Sequence, residues 1–201
     1  MPVAIHAIGD RGVKMALNSF EYSNNISLAN RIEHVEIIEP NDVERFKRLK
    51  VTASMQPNHG TGVIGKYITP RVGEEREQFA YIWNGFLESG VRLALSSDFA
   101  TSPFSPLIQL ADAVFRESPS GLYDGPWYPE QALSFDDALY AYTQIGAELS
   151  GWGDQIGSIT VGKYADFVIL DQTLSKPVGR ELKSTKVSKT YFAGQLIFPK
   201  N

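Results

Sequence analysis

The 201-residue sequence contains no cysteine, which excludes a disulfide scaffold, a thiol nucleophile and a cysteine-ligated structural zinc site. Any metal is left to histidine and carboxylate. The chain also lacks an uninterrupted apolar run near the ~18–20 residues that a spanning helix needs, and its first residues show no basic-then-apolar signal pattern. A basic stripe is missing as well: 19 basic and 23 acidic residues are interspersed and leave a net charge of −4, a poor match for a phosphate backbone. Neither a nucleic-acid nor a membrane partner is therefore expected. What is present is the composition of a folded chain, with 43% apolar and 21% charged residues, which sets aside the disordered and collagen-like classes. The length suits one domain or a domain and a half.

Strand-like and helix-like stretches alternate along the first three quarters. Val3 to Gly9, Arg31 to Glu36, Val51 to Gln56 and Arg92 to Ser97 read as short apolar or β-branched strands. Helical spacing runs over Val13 to Tyr22, and Asn41 with Glu44 suggests a capping box for a helix through Lys50. Pro57 to Gly73 reads as a long glycine-rich loop, followed by a helix over Glu74 to Glu88 that Gly90 closes. A helix over Ser105 to Glu117 precedes a loop from Ser118 to Pro129, and Ser134 with Asp137 starts a helix that reaches about Ser150. Repeated strand–helix units predict a parallel α/β sheet with right-handed crossovers. Beyond a boundary near Asp154 the grammar changes: Asp166 to Leu170 and Thr190 to Phe198, with a tight turn at Ala193-Gly194, predict antiparallel β structure outside the main sheet.

The three histidines, His6, His34 and His59, each fall within or just after the carboxyl half of a predicted parallel strand. In parallel α/β folds the ligand site lies outside those strand ends. One histidine there is more often a hydrogen-bonded structural residue; three of three make a site the stronger reading. Period-two alternation puts His34 on one side with Ile32 and Glu36, and Asp98 with the small Ala94 and Ser96. An acid ending a buried strand requires a cation, a basic side chain or a hydrogen-bond cluster, unless Asp98 simply caps the next helix. Imidazoles with a carboxylate suit Zn²⁺ or a similar first-row ion. The spacings of 28 and 64 residues from His6 to His34 and on to Asp98 form no local motif, so only the fold can gather them.

His6-Ala7-Ile8-Gly9-Asp10-Arg11, Arg31-Ile32-Glu33-His34-Val35-Glu36, Ala53-Ser54-Met55-Gln56-Pro57-Asn58-His59, Ser96-Ser97-Asp98 and Gly162-Lys163-Tyr164-Ala165-Asp166-Phe167, in that order, resemble the amidohydrolase superfamily. The nearest likeness is its amidohydrolase-3 branch, which includes enzymes similar to N-substituted formamide deformylase. The resemblance implies a metal-dependent (β/α)8 TIM-barrel hydrolase of carbon–nitrogen bonds other than peptide bonds, acting on an amide, formamide or cyclic amide. It implies one or two divalent ions, zinc foremost, with His6, His34 and Asp98 as ligands from barrel strands five, six and eight. Asp98 is also the implied proton carrier, and His59 and Gln56 the implied substrate-side groups. For Asp10 and Glu36 the expectation is either orientation of ligand histidines or a surface or capping role. The His-x-His pair of the family's first strand and the lysine or acid of its fourth have no counterpart. The expectation is accordingly a C-terminal half: residues 1–154 as strands five to eight, and 155–201 as part of a composite β-sandwich, with activity requiring the other half.

The rival expectation is a catalytically incomplete remnant whose open edges pair with further copies, forming a homo-oligomeric interaction module. A self-standing open sheet binding a small ligand without metal is a third. A cytoplasmic location is the default reading, on which the opening residues have little bearing. Gly60 to Lys66 lacks Walker spacing and reads as a substrate loop, while Trp83, Trp127 and Trp152 read as packing residues. Ser96 and Ser97 lack the glycine pattern of a nucleophile elbow.

Overall fold

The computed structural model describes residues 1–24, 26–27, 29–117, 121–122, 124–176 and 178–199. Its centre is a four-stranded sheet in which β1 (Ala4–Ala7), β2 (Arg31–His34), β3 (Thr52–Met55) and β4 (Leu93–Leu95) lie side by side in chain order, all parallel. Each crossover contains helix: α1 (Asp10–Ser23), then α2 (Pro40–Leu49), then α3 (Pro57–Thr61), α4 (Ile68–Val72), α5 (Glu74–Glu77) and α6 (Trp83–Glu88). After β4 come α7 (Pro106–Phe115), α8 (Phe135–Tyr142) and α9 (Gln144–Leu149). The tail forms a separate antiparallel sheet of β5 (Phe167–Leu170), β6 (Val187–Phe192) and β7 (Gln195–Phe198).

Register sorts the parallel sheet into two unlike faces. Ile5 pairs with Ile32, Ile32 with Ala53 and Ala53 with Leu93, so this apolar row packs into the core with Leu17, Phe20, Phe46 and Phe86 of the helices. The opposite row is His6, Glu33, Ser54 and Ala94. His6 on that row is exposed and Glu33 half-buried. Hydrophobic burial therefore fixes which side the helices cover, and the polar row is left for other work.

Several expected elements differ in detail. The helix of residues 40–49 starts at Pro40 after Glu39 with no side-chain cap, because proline's preset φ suits a first turn; the Asn41 capping box does not form. The stretch from 57 to 73 is mostly helical rather than a loop. Its glycines serve close packing: a Cβ on Gly65 would lie 1.9 Å from the Gly60 carbonyl oxygen, and one on Gly60 3.0 Å from the Tyr81 ring. The expected helix of residues 74–88 splits into α5 and α6, since Ala80 bridges to Ile37 and the Tyr81 N–H donates to the Glu36 carbonyl, drawing this segment to the end of β2. The helix ending near Ser150 likewise divides, at Thr143 between α8 and α9. Ser134 does cap α8: its Oγ accepts from the Asp137 N–H at 3.1 Å. Of the expected loop from Ser118 to Pro129, Ser118, Pro119, Ser120 and Tyr123 lie outside the described residues.

The β5–β7 sheet follows a segment docked on α9, where Lys163 Nζ donates to Gln144 Oε1 and to the Ile156 carbonyl. Ala193 and Gly194 both adopt positive φ, the two-residue hairpin turn that the sequence predicts. A stability device sits between β5 and β6. The Ser175 hydroxyl, then the N–H groups of Glu181, Gly179 and Ser175, hold the exposed Glu181 carboxyl down to about 2 from 4.5. A depressed acid pKa contributes stability above the unfolded value, and that contribution is lost as pH falls from 4.5 towards 2. In Glu181→Gln the pH dependence of the urea midpoint is expected to flatten across this window; an unchanged slope would contradict the assignment. Among the described residues no helix is long and apolar enough to cross a membrane.

Candidate metal centre

The strands end where the chemistry collects. His34 is the last residue of β2 and has φ 79, with Val35 at φ 46 after it. Two consecutive left-handed residues are uncommon outside glycine and concentrate at functional sites. Alternation alone would leave His34 on the apolar side with Ile32, as register with Ala7 implies. Instead its ring meets the His6 ring edge-on, with centroids 4.5 Å apart, so the left-handed backbone turns it towards the polar row. Asp98, beyond β4, also has positive φ, at 52.

His59 reaches the same place from α3, which Pro57 starts directly after β3. Its ring lies 5.7 Å from that of His34 and nearly parallel to it, with an interplanar angle of 11°. His59 Nε2 is 3.7 Å from Asp98 Oδ2. Among the described residues His34, His59 and Asp98 form a group in which one donor atom from each lies within 4.8 Å of the others. His6 lies beside that group, against His34, and is not a member of it.

Each clustered imidazole is held by a second residue. Gln56 Oε1 is 2.9 Å from His34 Nδ1, and Gln56 Nε2 donates to Ser96 Oγ at 2.9 Å. An amide oxygen only accepts, so His34 Nδ1 carries the proton and Nε2 keeps its lone pair. Gln56 is buried and joins the ends of β2 and β4 through these two contacts. Glu36 Oε1 lies 3.2 Å from His59 Nδ1. Asp10 is engaged elsewhere, in an ion pair with Arg76. The bond from Gln56 to Ser96, which the sequence marks as a small neighbour of Asp98, and the packing of Tyr81 at the Glu36 end are contacts that no local motif announced. Trp83 and Trp127 are buried on either side of Arg116, which fits their expected packing role, whereas Trp152 is half exposed.

The donor set fits a divalent ion. His59 Nε2 is buried and has no hydrogen-bond partner, although a carboxylate oxygen stands 3.7 Å away. That separation is too long for a hydrogen bond. It is close to the ~3.4 Å that separates neighbouring donors around a tetrahedral ion with bonds of about 2.1 Å. Nitrogen and oxygen donors without sulfur suit zinc or a neighbouring first-row metal.

A parallel α/β sheet with imidazole and carboxylate donors gathered beyond its strand ends defines the class of α/β proteins whose donor groups suit a divalent ion. Residues 1–198 match the model of the Amidohydrolase family, and the chain belongs to that family. It is 33% identical over 207 residues to Protein LONG AFTER FAR-RED 3 of Arabidopsis thaliana, covering 99% of this chain and 34% of that protein. With N-substituted formamide deformylase of Arthrobacter pascens the identity is 31% over 198 residues, covering 96% of this chain and 36% of the relative. The crystal structure of an uncharacterized metal-dependent hydrolase from Pyrococcus horikoshii OT3 superposes with a TM-score of 0.69 at 35% identity, covering 79% of this chain and 31% of the other. The chain thus spans about a third of the length of the curated relatives it matches.

Proposed function

We propose that this chain carries the metal-ligating half of a hydrolase that cleaves carbon–nitrogen bonds in amides, formamides or cyclic amides. The observation that carries the proposal is the buried, unpartnered His59 Nε2 facing Asp98 across 3.7 Å. His34, His59 and Asp98 would hold zinc, with His6 adjoining. This revises the ligand set of the sequence reading, which paired His6 with His34 and Asp98 and gave His59 to the substrate. A divalent ion bound there would supply the acidity that brings a water's pKa towards neutrality and the charge that polarises a carbonyl. Asp98 takes a proton from the attacking water and returns it to the leaving nitrogen. Gln56 and Glu36 keep the imidazoles oriented while Asp98 does so.

The barrel portion, residues 1–154 in this reading, is completed by four further strands. Support comes from the polar row on the sheet, from β1 and β4 each lying at an edge, and from the third of the relatives' length that the chain spans. Residues 155–201 contribute to a composite β-sandwich, in keeping with the exposed Val168, Phe192 and Ile197 of the second sheet. Those same open edges favour the second reading, a homo-oligomeric interaction module.

Zinc titration of the purified chain, with oligomeric mass recorded on the same sample, separates the two. About one equivalent of zinc is expected, and His34→Ala should weaken binding by more than the roughly 10–100-fold typical of losing an outer-shell partner. A stable oligomer that takes up no zinc would overturn the hydrolase reading.

A further inference from the structure

We propose that Gln109 is a positioning residue that sets the separation between His59 and Asp98, because its one side chain holds both of the segments that carry them. The consequence for metal rests on the function proposed above; the clamp itself stands on contacts within this chain.

His59 sits on α3, a helix of only five residues, too short to be stable without outside contacts. The first N–H groups of any helix have no partner inside it. Pro57 has no N–H to satisfy, which makes Asn58 the first residue of α3 in need of an acceptor. The usual source is the side chain just before the helix, but that of Gln56 is committed to His34 and Ser96 and caps nothing. The acceptor comes instead from α7. Gln109 Oε1 takes the Asn58 N–H at 3.1 Å, across 51 residues of sequence. One turn further along α7, Asp112 accepts from Asn58 Nδ2 at 2.7 Å.

The other arm of the Gln109 amide faces the loop after β4, where Nε2 donates to the Pro103 carbonyl at 3.3 Å. Between that carbonyl and Asp98 lies a tight turn, closed by the Thr101 N–H donating to the Asp98 carbonyl at 2.7 Å. Gln109 is 0% exposed, so water does not stand in at either contact. One contact needs an acceptor and the other a donor. An amide offers both, whereas ionised glutamate lacks the donor, lysine the acceptor and methionine each of them. Gln109 thus ties the helix of His59 and the loop of Asp98 to one point on α7. Groups that share a ligand must be held to within about 0.5 Å, and this tie spans the two that face each other across 3.7 Å.

The test compares Gln109→Met with Gln131→Met. Gln131 makes the same kind of bond, its Oε1 accepting the Gly85 N–H of α6 at 3.0 Å, on a helix that carries none of the clustered donors. In the metal-free parent, hydrogen exchange followed by NMR is expected to be slow at the Asn58 N–H and at the Gln109 side-chain amide. Gln109→Met should speed exchange about tenfold at Asn58, which loses its partner, and at Thr101, whose turn loses its anchor. Gln131→Met should speed neither. Zinc is expected to bind about 10–100-fold more weakly to Gln109→Met, and cobalt in its place to give a changed visible spectrum. Gln131→Met should match the parent in both, although it too loses stability. Fast exchange of the Gln109 amide in the parent overturns the proposal, even where the Gln109 variant does not fold. So does faster exchange at Asn58 alone, or a zinc affinity that falls equally in the two variants. A parent that shows the exchange pattern but takes up no zinc would uphold the clamp and refute the hydrolase reading, so the two fail separately.

Discussion

In the hydrolase proposed above, Asp98→Asn is expected to lower the rate of carbon–nitrogen cleavage by about 10²–10⁴-fold, the range that a positioned acid–base group contributes. Asparagine matches aspartate in size but can neither take a proton from water nor supply a negative ligand. Asp98 suits the proton-carrying role. Its side chain is 40% exposed while Oδ2 faces His59, so it touches both solvent and the donor group. Its backbone is held at φ 52, with its carbonyl accepting the Thr101 N–H at 2.7 Å, which makes the turn independent of the carboxylate. The fold should therefore survive the substitution, with an unaltered circular dichroism spectrum. The measurement is amine release from an N-substituted formamide by the assembled enzyme. A variant within tenfold of its parent would remove Asp98 from the chemistry.

The second large effect is on stability, and it lies away from the metal centre. Arg116→Met is expected to destabilise the fold by about 4–5 kcal/mol, at the upper end for single substitutions. Arg116 is fully buried. Its guanidinium donates to the carbonyls of Trp127 at 2.6 Å and Tyr81 at 3.0 Å, and more weakly to that of Ala80 at 3.5 Å. It also lies against the rings of Trp83 and Trp127, at 4.3 and 5.0 Å from their centroids. Desolvation pushes its pKa down to about 9, so the group remains charged at neutral pH. Methionine fills part of the volume but removes the side-chain donor to the Trp127 carbonyl, a loss of about 1–3 kcal/mol, together with the bonds to Ala80 and to Tyr81, whose carbonyl keeps the Trp83 N–H, and it loses the stacked cation. Against a total stability of about 5–15 kcal/mol, the urea midpoint should fall sharply. A loss below about 1 kcal/mol would show that the clamp is dispensable. Lysine is expected to rescue little, because it lacks the planar fork that reaches several carbonyls at once.

This clamp also bears on the site, since Arg116 holds residues 80–81 and Tyr81 backs Glu36. Nothing near Arg116 in the sequence announces it. A lone arginine after an apolar helix reads as a solvated terminus, and only the packing of two tryptophans and three carbonyls around it shows otherwise. The breaks at Tyr81 and Thr143 were equally hidden, because local helical propensity continues through both positions and long-range contacts override it.

By itself the sequence determined the order of the strands, the helices after β1, β2 and β4, the change to antiparallel β structure in the tail, the Ser134 cap and the Ala193-Gly194 turn. These depend on periodicity and on residues within a few positions of each other, where backbone sterics and short hydrogen bonds decide. It also placed all three histidines near carboxyl ends of strands. Which of them converge was decided only in three dimensions. His34 left its alternating face because two left-handed residues end its strand, and His59 joined Asp98 because a short helix carries it across the strand ends. The partners of these imidazoles, Gln56 and Glu36, lie 22 and 23 residues away along the chain. Contacts at that separation form only when hydrophobic burial has set the sheet and its helices in place. The chemistry of the donors was therefore legible in one dimension, and their geometry was not.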